Sequence, residues 1–347
     1  MRKMASVQVI WKVEPIEGAD RIELGHVMGW QCVVNKDVFK PMDKGVYFEI
    51  DSYLPIDPRF EFLRAGSYKN SQIMGEGFKI KTMKFKGQIS QGLFLPLSQF
   101  PEIPEDAEVG TDVTELLHVR KWEVEERATT SGTIAGTLPY DVPVTDEIRV
   151  QNFVEFPEEF KELEYYITTK MDGSSHSVSL DGDGFYVTGH HYEYKDDDSN
   201  SFYRLVKERG WREKIEAYAK EHNYMPFTLQ GELCAPGIQR NRLKLIKPEW
   251  YVFTVRINGK RVGLQETVKV CKDLGMEMVP IEEIGFNFPE KYPTVESVLE
   301  RADGTYPKGG PKEGIVIRPV EPVFSTVLSA ALSMKAVNNR YLLKNEE

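Results

Sequence analysis

Cysteine is scarce in this sequence, and no apolar run approaches the length of a membrane span. The three cysteines, Cys32, Cys234 and Cys271, stand far apart without a CxxC pair, so neither a disulfide framework nor a zinc site is indicated. Residues 1–6 lead directly into a strand-like pattern instead of a signal peptide. We therefore expect a soluble intracellular protein of the cytoplasm or nucleus, without a membrane partner.

Positively charged residues are also few: the sequence has 44 Lys and Arg against 54 Asp and Glu, and its formal net charge is -10. A protein that coats nucleic acid through bulk charge is thereby disfavoured, and any such contact must use a local basic patch. One candidate is a run of lysines that alternate with apolar residues: Lys79, Lys81, Lys84 and Lys86. On a single strand from Phe78 to Phe85 these cations would face outward. The run fits either a nucleic-acid contact or a solvated edge strand guarded by lysine.

The familiar glycine-rich phosphate loops, GxxxxGK[ST] and GxGxxG, do not occur. A nucleotide bound by this chain would therefore not rest on such a loop at a helix amino terminus. Lysines and a metal ion would have to balance its phosphates.

The length of 347 residues favours two domains. Residues 1–121 show short strand patterns broken by turns, which predicts a small β-barrel. Residues 122–140 turn Glu-rich and then rich in Thr, Gly, Ser and Ala, which is typical of a linker or mobile loop. Residues 141–347 mix strands and helices, with strands often following strands, and predict an α+β domain of antiparallel sheets.

The most informative segment of the second domain ends one predicted strand with Lys170, Asp172 and Gly173 in a K-x-D-G tetrapeptide. A lysine amine at that position can attack an α-phosphate and hold the nucleotide as a phosphoramidate. Chance alone produces the tetrapeptide in roughly one chain in ten of this length. Further parts follow in order, however: Glu232 at a strand end, Phe253 in an aromatic strand, Glu313 opening E-G-I-V, and Lys335 near the end.

These motifs resemble those of the covalent nucleotidyltransferase superfamily of ligases and mRNA capping enzymes. More narrowly, the chain resembles nick-sealing RNA ligases of the Deinococcus and Naegleria type. The resemblance extends over nearly the whole chain and includes residues 18–23, 29–34, 87–93, 145–152 and 229–241. It implies an α+β nucleotidyltransferase domain, an ATP-grasp-like ligase domain of antiparallel sheets with helices, preceded by an all-β OB-like barrel.

The resemblance also implies roles for individual residues. Lys170 would be the nucleophile that carries AMP, and Lys335 would neutralise charge on the α-phosphate. Asp172, Glu232 and Glu313 would hold Mg²⁺ or Mn²⁺ directly or through water, although each acid alone is more often a surface ion-pair partner. The ATP and AMP contacts would come from these residues: Arg149, Lys170, His190, Glu232, Phe253, Val316 and Lys335. For Phe253 and Val316, plain core packing is the alternative to stacking on the base.

A lysine amine is protonated at pH 7, so catalysis is expected to require a lowered pKa of Lys170. A divalent cation and neighbouring Lys335 are the expected causes.

Three positions depart from the pattern of the ligases. Thr169 replaces a glutamate before the nucleophile, His190 stands near the place of an arginine, and Val337 replaces a second lysine, for which Lys312 or Lys344 are possible substitutes.

The activity implied is that of an ATP-dependent RNA ligase that seals 3′-OH/5′-phosphate nicks through lysyl-AMP and an adenylylated 5′ end. Its partner would be a nicked duplex with RNA on the 3′-OH side, and the protein would be a monomer. Two alternatives stay open. One is a capping-type guanylyltransferase or DNA ligase, and the other is a catalytically silent RNA- or tRNA-binding protein that keeps the OB domain.

Overall fold

The computed structural model describes residues 2–123 and 132–345. Backbone contacts divide these residues into two compact units. The first comprises the described residues up to 123 together with 151–154 and 342–345, and the second comprises the described residues of 126–150 and 155–341. Two short segments of the predicted second domain therefore pack with the first unit. The domain boundaries 1–121, 122–140 and 141–347 remain a prediction.

The first unit consists mainly of strands. Its elements are β1 (Ala5–Pro15), β2 (Ile22–Val27), β3 (Trp30–Asn35), β4 (Asp43–Phe48), β5 (Ser52–Leu54), a 3-10 helix (Pro58–Leu63), α1 (Arg64–Ser67), β6 (Tyr68–Ser71), β7 (Gly75–Lys79), β8 (Met83–Phe85), β9 (Gln88–Ser90), β10 (Leu93–Pro96), a second 3-10 helix (Leu97–Gln99) and β11 (Arg120–Lys121). They form a five-stranded sheet in the order β10-β4-β1-β2-β3, a four-stranded sheet in the order β11-β5-β7-β6, and the hairpin β8-β9.

The core of this unit is built from side chains that alternate along the strands. Val7, Val46, Phe48 and Phe78 are buried and belong to one apolar cluster with Phe100. Inward apolar side chains at every second position are what a sheet with one covered face requires. The prediction of an all-β first domain is confirmed, with α1 as its one short α-helix among the described residues.

The lysine run does not lie on one strand, contrary to the expectation for Phe78 to Phe85. Strand β7 ends at Lys79, β8 begins at Met83, and the two strands belong to different sheets. The chain bends between them because Ile80 is buried and its backbone bonds to Ser52 and Asp51. Lys79 packs over the Trp122 ring at 5.5 Å, whereas Lys84 and Lys86 are exposed around the turn into β9. The four cations therefore form no single outward stripe.

The rest of the chain mixes strands and helices. Its elements are β12 (Ile134–Thr137), β13 (Ile148–Arg149), a 3-10 helix (Val150–Asn152), α2 (Phe156–Glu159), β14 (Glu164–Lys170), β15 (Ser174–Leu180), β16 (Phe185–Thr188), β17 (Tyr192–Tyr194), α3 (Ser201–Glu208), α4 (Trp211–His222), β18 (Phe227–Cys234), β19 (Glu249–Ile257), β20 (Lys260–Arg261), α5 (Leu264–Leu274), β21 (Glu277–Met278), β22 (Ile281–Phe286), α6 (Phe288–Lys291), α7 (Val295–Ala302), β23 (Gly314–Pro319), β24 (Phe324–Ser325), β25 (Ala330–Ala331), β26 (Met334–Val337) and α8 (Asn339–Asn345).

Two larger sheets organise the second unit. One has eight strands in the order β12-β17-β16-β15-β18-β19-β20, with β21 paired to β19, and the other has the order β13-β26-β23-β14-β22. Most neighbours are antiparallel, while β13 with β26 and β19 with β21 are parallel. Helices α3, α4 and α5 cover the eight-stranded sheet through an apolar cluster that includes Phe202, Trp211 and Trp250. The predicted α+β domain of antiparallel sheets with helices is confirmed.

Two stretches differ from the sequence-based expectation. Part of the predicted linker 122–140, residues 124–131, lies outside the described residues, but Ile134–Thr137 forms strand β12 and pairs with β17. Strand β22 was not predicted, because its sequence IEEIGF lacks a regular apolar alternation. Among the described residues, no helix combines the length and apolar character needed to cross a bilayer.

A partly buried acid links β22 to its neighbours. Glu283 accepts hydrogen bonds from the Tyr165 hydroxyl at 2.6 Å, the Tyr292 hydroxyl at 2.9 Å and Lys291 Nζ at 2.8 Å. Burial opposes ionisation of this carboxyl, but these donors outweigh it and lower its pKa to about 2. Its ionised form is therefore stabilised by folding.

We expect Glu283→Gln to lower the free energy of unfolding at pH 7 by on the order of 3 kcal/mol, because the folded pKa lies below the unfolded value. A depressed carboxyl pKa contributes its full stability above the unfolded pKa, near 4.3, and loses it as pH falls toward 2. Urea unfolding at pH 7 and pH 3 should show the gap between wild type and variant shrinking at pH 3. The exposed Glu296→Gln is the matched control. A gap that stays constant with pH would contradict this account.

Candidate active site

Lys170 is the last residue of β14, which lies between β23 and β22 in the five-stranded sheet. It pairs with Gly314 of β23, and Thr168 of the same strand pairs with Val316. Val316 in turn pairs with Lys335 of β26, which pairs with Arg149 of β13. Because cross-strand partners share a face and side chains alternate along a strand, Lys170, Val316, Lys335 and Arg149 lie on one face of the sheet.

The Lys170 amine lies among carboxylates. Its Nζ contacts Glu313 Oε1 at 2.7 Å, and the Lys170 side chain is 25% exposed. Burial opposes protonation, but Glu313, Glu232 and Asp172 outweigh it and raise the pKa of Lys170 above its ordinary value. The protein's own groups therefore act against the lowering that was expected from a divalent cation and Lys335, because acids dominate the surroundings of the amine. Lys335 lies on the same face, and its repulsion with Lys170 contributes to the lowered pKa of Lys335.

Glu232 lies near the end of β18, beside the turn that follows Lys170. Burial, Glu313 and Asp172 raise the pKa of its carboxyl to about 8, while Lys170 and the Gly173 backbone N–H oppose the rise. Gly173 has no room for a side chain, since a Cβ there would lie 2.3 Å from the Leu233 carbonyl oxygen. Glycine at this position of the K-x-D-G tetrapeptide therefore allows the turn to pack directly against β18.

Asp172 is buried and held by two side chains far away in sequence. Arg242 Nη1 donates to Oδ2 at 2.6 Å, and the Tyr341 hydroxyl donates to Oδ1 at 2.7 Å. The Arg242 guanidinium also lies 4.5 Å from the centroid of the Tyr341 ring. Both carboxylate oxygens of Asp172 therefore have a donor from the protein.

The backbone of the nucleophile strand is fixed as well. The Tyr306 hydroxyl donates to the Lys170 carbonyl at 2.7 Å and accepts from the Glu313 N–H at 3.2 Å. Gly314, next to Glu313, has φ of 155°, and a Cβ there would lie 2.1 Å from the Ala336 carbonyl oxygen. Strands β14, β23 and β26 can pack this closely only with glycine at that position.

Lys335 pairs with Asp146, whose Oδ1 accepts from its Nζ at 2.5 Å. Burial, together with Arg149 and Lys170, outweighs Asp146 and lowers the pKa of Lys335 to about 8. Two lysines and an arginine therefore gather on one face of the sheet, which is a suitable electrostatic field for a phosphate.

Phe253 on β19 and Val316 on β23 are partly buried. Phe253 packs against an apolar cluster that includes Met171, the residue after Lys170. The Arg318 guanidinium lies 5.9 Å from the Phe253 ring centroid and donates to the Phe253 carbonyl at 2.5 Å and to Glu147 at 2.5 Å. Burial opposes ionisation of Glu147, but Arg318 and Arg261 lower its pKa to about 2. A fixed ion pair thus supports one edge of the Phe253 platform.

The remaining predicted positions make other contacts. His190 lies in the turn between β16 and β17 and packs its ring 4.3 Å from that of His191. Thr169 donates to Glu282 at 2.7 Å, and Lys312, considered as a substitute lysine, is buried in an ion pair with the same Glu282. Val337 is buried at the end of β26. Lys79, Lys81, Lys84 and Lys86 belong to the first unit.

The structure brings the three predicted acids near Lys170 but not into one metal-binding cluster. Within 2–123 and 132–345, no three His, Cys, Asp or Glu side chains are close enough to hold an ion together. Asp172 is bound by Arg242 and Tyr341, whereas Glu313 and Glu232 flank the amine. Two carboxylates fit an oxygen-preferring cation that keeps much of its water shell, as Mg²⁺ does.

Sequence reasoning missed Asp146, Arg242, Tyr306 and Tyr341. Asp146 and Arg242 stood in or beside segments that carry the resemblance, at residues 145–152 and 229–241, but nothing in their spacing indicates their partners. Tyr306 and Tyr341 carry no local signal.

Two family profiles match parts of this chain. A family profile described as RNA ligase matches residues 163–337, just over half of the chain, and one described as OB-fold domain matches residues 4–97. A search of curated proteins found no match.

Solved structures of a Naegleria gruberi RNA ligase are similar over almost the full length. A mutant with ATP and Mn is 33% identical, with a TM-score of 0.89 and coverage of 100% of both chains. A mutant with AMP and Mn is 32% identical, with a TM-score of 0.88 and coverage of 98% of each chain. An apo mutant is 32% identical, with a TM-score of 0.88, and covers 98% of this chain and 97% of that one. On these matches, this chain belongs to the RNA ligase family, with an OB-fold domain ahead of its ligase domain.

Proposed function

We propose that this RNA ligase uses ATP to form lysyl-AMP on Lys170 and then seals 3′-OH/5′-phosphate nicks in a duplex whose 3′-OH strand is RNA. The observation that carries the proposal is the position of the Lys170 amine, 2.7 Å from Glu313 on the sheet face that also presents Lys335 and Arg149. The similarity to Naegleria gruberi structures with ATP and Mn supports the choice of nucleotide.

Three transfers make up the reaction. The Lys170 ammonium first gives a proton to Glu313 Oε1, 2.7 Å away, and the Nζ lone pair then attacks the α-phosphorus of ATP. The bond from that phosphorus to the oxygen bridging to the β-phosphate breaks, pyrophosphate leaves, and Nζ loses its second proton to solvent. A 5′-phosphate oxygen of the nick then attacks the same phosphorus and Lys170 departs. Finally the 3′-hydroxyl attacks the activated 5′-phosphate, a phosphodiester forms, and AMP leaves.

The residues of this chain supply position and charge. Glu313 holds the Lys170 amine in place and is within reach of its proton at 2.7 Å. Lys335 and Arg149 face the phosphate and stabilise the charge that develops on it. Phe253 and Val316 offer apolar surfaces for the base, and His190 stays a weaker candidate for a nucleotide contact because its ring packs on His191.

Mg²⁺ or Mn²⁺ would be held by Glu232 and Glu313. When bound, the cation supplies charge neutralisation at the phosphates. Asp172 was predicted to share this role, but its two donors suit it better to fixing the turn after Lys170. Ionised Glu232 is required to hold a cation, so binding would displace a proton from a carboxyl whose pKa is about 8.

The nicked duplex as the substrate and the monomeric state of the protein are also part of this proposal. An OB fold is a platform for nucleic acid in many proteins, and the exposed Lys84 and Lys86 remain candidates for contact there, with Lys79 and Lys81 less exposed.

Labelling with α-phosphate-labelled ATP or GTP in the presence of Mg²⁺ tests the first step. An acid-labile adduct with ATP alone is expected, and an adduct with GTP alone would favour a capping-type guanylyltransferase. Absence of any adduct would favour a silent RNA-binding protein. Matched nicked duplexes with ribose or deoxyribose at the 3′-terminal nucleotide then test the RNA preference against a DNA ligase.

The rate of adduct formation should depend on the charge of Lys335. Its pKa is about 8, so at a Mg²⁺ concentration high enough to keep Glu232 ionised, kcat/KM for ATP should fall as pH rises through 8, because the ammonium that faces the phosphate is lost. Asp146 raises that pKa, so Asp146→Asn should move the fall to lower pH. Single-turnover labelling at subsaturating ATP between pH 6 and 9 measures it. An unchanged profile in Asp146→Asn would contradict the assignment of Lys335.

A further inference from the structure

One segment of the second unit is basic although the whole chain is acidic. Residues 235–248 contain Arg240, Arg242, Lys244 and Lys247 and no aspartate or glutamate. Arg242 is buried against Asp172, whereas Arg240, Lys244 and Lys247 are exposed. We call residues 236–247 the cationic loop. Its charge stands out in a protein of formal net charge -10.

The cationic loop has a defined irregular shape. Four residues of the loop have a positive φ: Gly237 (87°), Gln239 (48°), Asn241 (43°) and Lys244 (53°). Residues other than glycine adopt this left-handed conformation mainly in well-defined turns. The Asn241 side chain accepts from the Leu245 N–H at 3.0 Å and donates to the Leu245 carbonyl at 2.9 Å, which closes the turn. Ile246, at its outer end, is 94% exposed. The loop therefore has a defined backbone conformation and carries three exposed cations, Arg240, Lys244 and Lys247.

The same loop is fastened to the turn that carries the nucleophile. Arg242 binds Asp172 at 2.6 Å, and Gln239 Nε2 donates to the Gly173 carbonyl at 3.2 Å. Both partners lie within three residues of Lys170. Arg240 and Lys244 stand two residues before and two residues after Arg242 in this loop, and both are exposed.

We propose that the cationic loop binds backbone phosphates of the nicked duplex next to the nick, through Arg240, Lys244 and Lys247. Sequence-independent phosphate contacts are the chemistry that exposed Arg and Lys supply. Lys247 also lies 3.3 Å from the partly buried Glu249, but its own side chain is 65% exposed and open to a phosphate. The proposal rests on the function proposed above, and it assigns part of the substrate grip to the ligase domain.

The test is binding of a fluorescent nicked duplex by the full chain, measured by anisotropy at several salt concentrations. The variant is Arg240→Ala/Lys244→Ala/Lys247→Ala. We expect about 10- to 100-fold weaker binding at low salt and a log–log salt dependence less steep by about 2.7, since each of the three lost phosphate contacts removes a slope near 0.9. The control is Lys214→Ala/Lys220→Ala/Lys272→Ala, which removes three exposed cations from helix α4 and the end of α5 and should bind as wild type does.

Three outcomes would overturn the proposal. They are wild-type affinity in the loop variant, equal loss in the control variant, and a higher KM for ATP in labelling without weaker duplex binding, which would assign the loop to the phosphates of ATP. Circular dichroism checks folding, and Arg240→Gln/Lys244→Gln is a milder second variant that should show a smaller slope change. Binding needs no chemistry, so absence of lysyl-AMP in the wild type would reject the proposed function while the binding result still decides on the loop.

Discussion

Replacing Lys170 with alanine should reduce covalent labelling by ATP to background, a loss of at least about 10³-fold, because no other group can form the phosphoramidate. The second amine on the same sheet face, Lys335, is held by Asp146 at 2.5 Å and cannot take the place of Lys170 without losing that partner. The measurement is gel detection of the adduct after incubation with α-phosphate-labelled ATP and Mg²⁺.

The matched control is Lys161→Ala, which removes an exposed lysine just before the same strand and should label as wild type does. Lys170→Arg keeps the positive charge opposite Glu313 but removes the nucleophile, and should be as inactive as the alanine variant. Labelling that survives in Lys170→Ala would place the covalent site elsewhere.

Arg242→Ala should lower the free energy of unfolding by about 3–5 kcal/mol, since it leaves a buried carboxylate without its charged partner. The Arg242 and Asp172 side chains are only 8% and 1% exposed, and they meet at 2.6 Å. Tyr341 would remain as the second donor to Asp172, but a neutral hydroxyl cannot offset the buried charge. Urea unfolding at pH 7 measures the loss.

A double-mutant cycle separates the pair from its surroundings. Asp172→Asn combined with Arg242→Ala removes the unpaired charge, so the double variant should be more stable than the sum of the two single losses implies. Arg340→Ala is the control, because it breaks the exposed ion pair with Asp303 and should cost less than about 1 kcal/mol. Additive losses in the cycle would show that Arg242 and Asp172 do not act together.

The sequence predicted the parts of the site that lie in short local motifs. Lys170, Glu232 and Glu313 each stand at or beside the end of a mostly buried strand that the sequence predicted, so strand and motif support each other. The four longer helices α3, α4, α5 and α7 were predicted to within one or two residues for the same reason, since a long amphipathic period is a strong signal.

Contacts between distant segments could not be predicted. Arg242 reaches Asp172 across 70 residues and Tyr341 reaches it across 169, and neither spacing has a local signature. The bend at Ile80 was missed because it depends on backbone bonds to Asp51 and Ser52 that only the folded sheet provides. The lysine run consequently looked like a single strand.

The effect of the protein's own groups on the pKa of Lys170 could not be predicted for a related reason. The sequence suggested a cation and Lys335 as its neighbours, but the folded chain places Glu313, Glu232 and Asp172 around the amine, and these raise the pKa. An ion that neutralises Glu232 and Glu313 would reverse that influence. Charges that meet only after folding decide such a shift, and their balance cannot be read from motif spacing.

A single-turnover chase tests the central claim most directly. Protein labelled on Lys170 with AMP is freed of ATP and mixed with matched nicked duplexes that have ribose or deoxyribose at the 3′-terminal nucleotide. The proposed function predicts that label leaves the protein and that up to one nick with the ribose end is sealed per adduct, without added ATP. A stable adduct that seals neither duplex, or one that seals only the deoxyribose end, would contradict it.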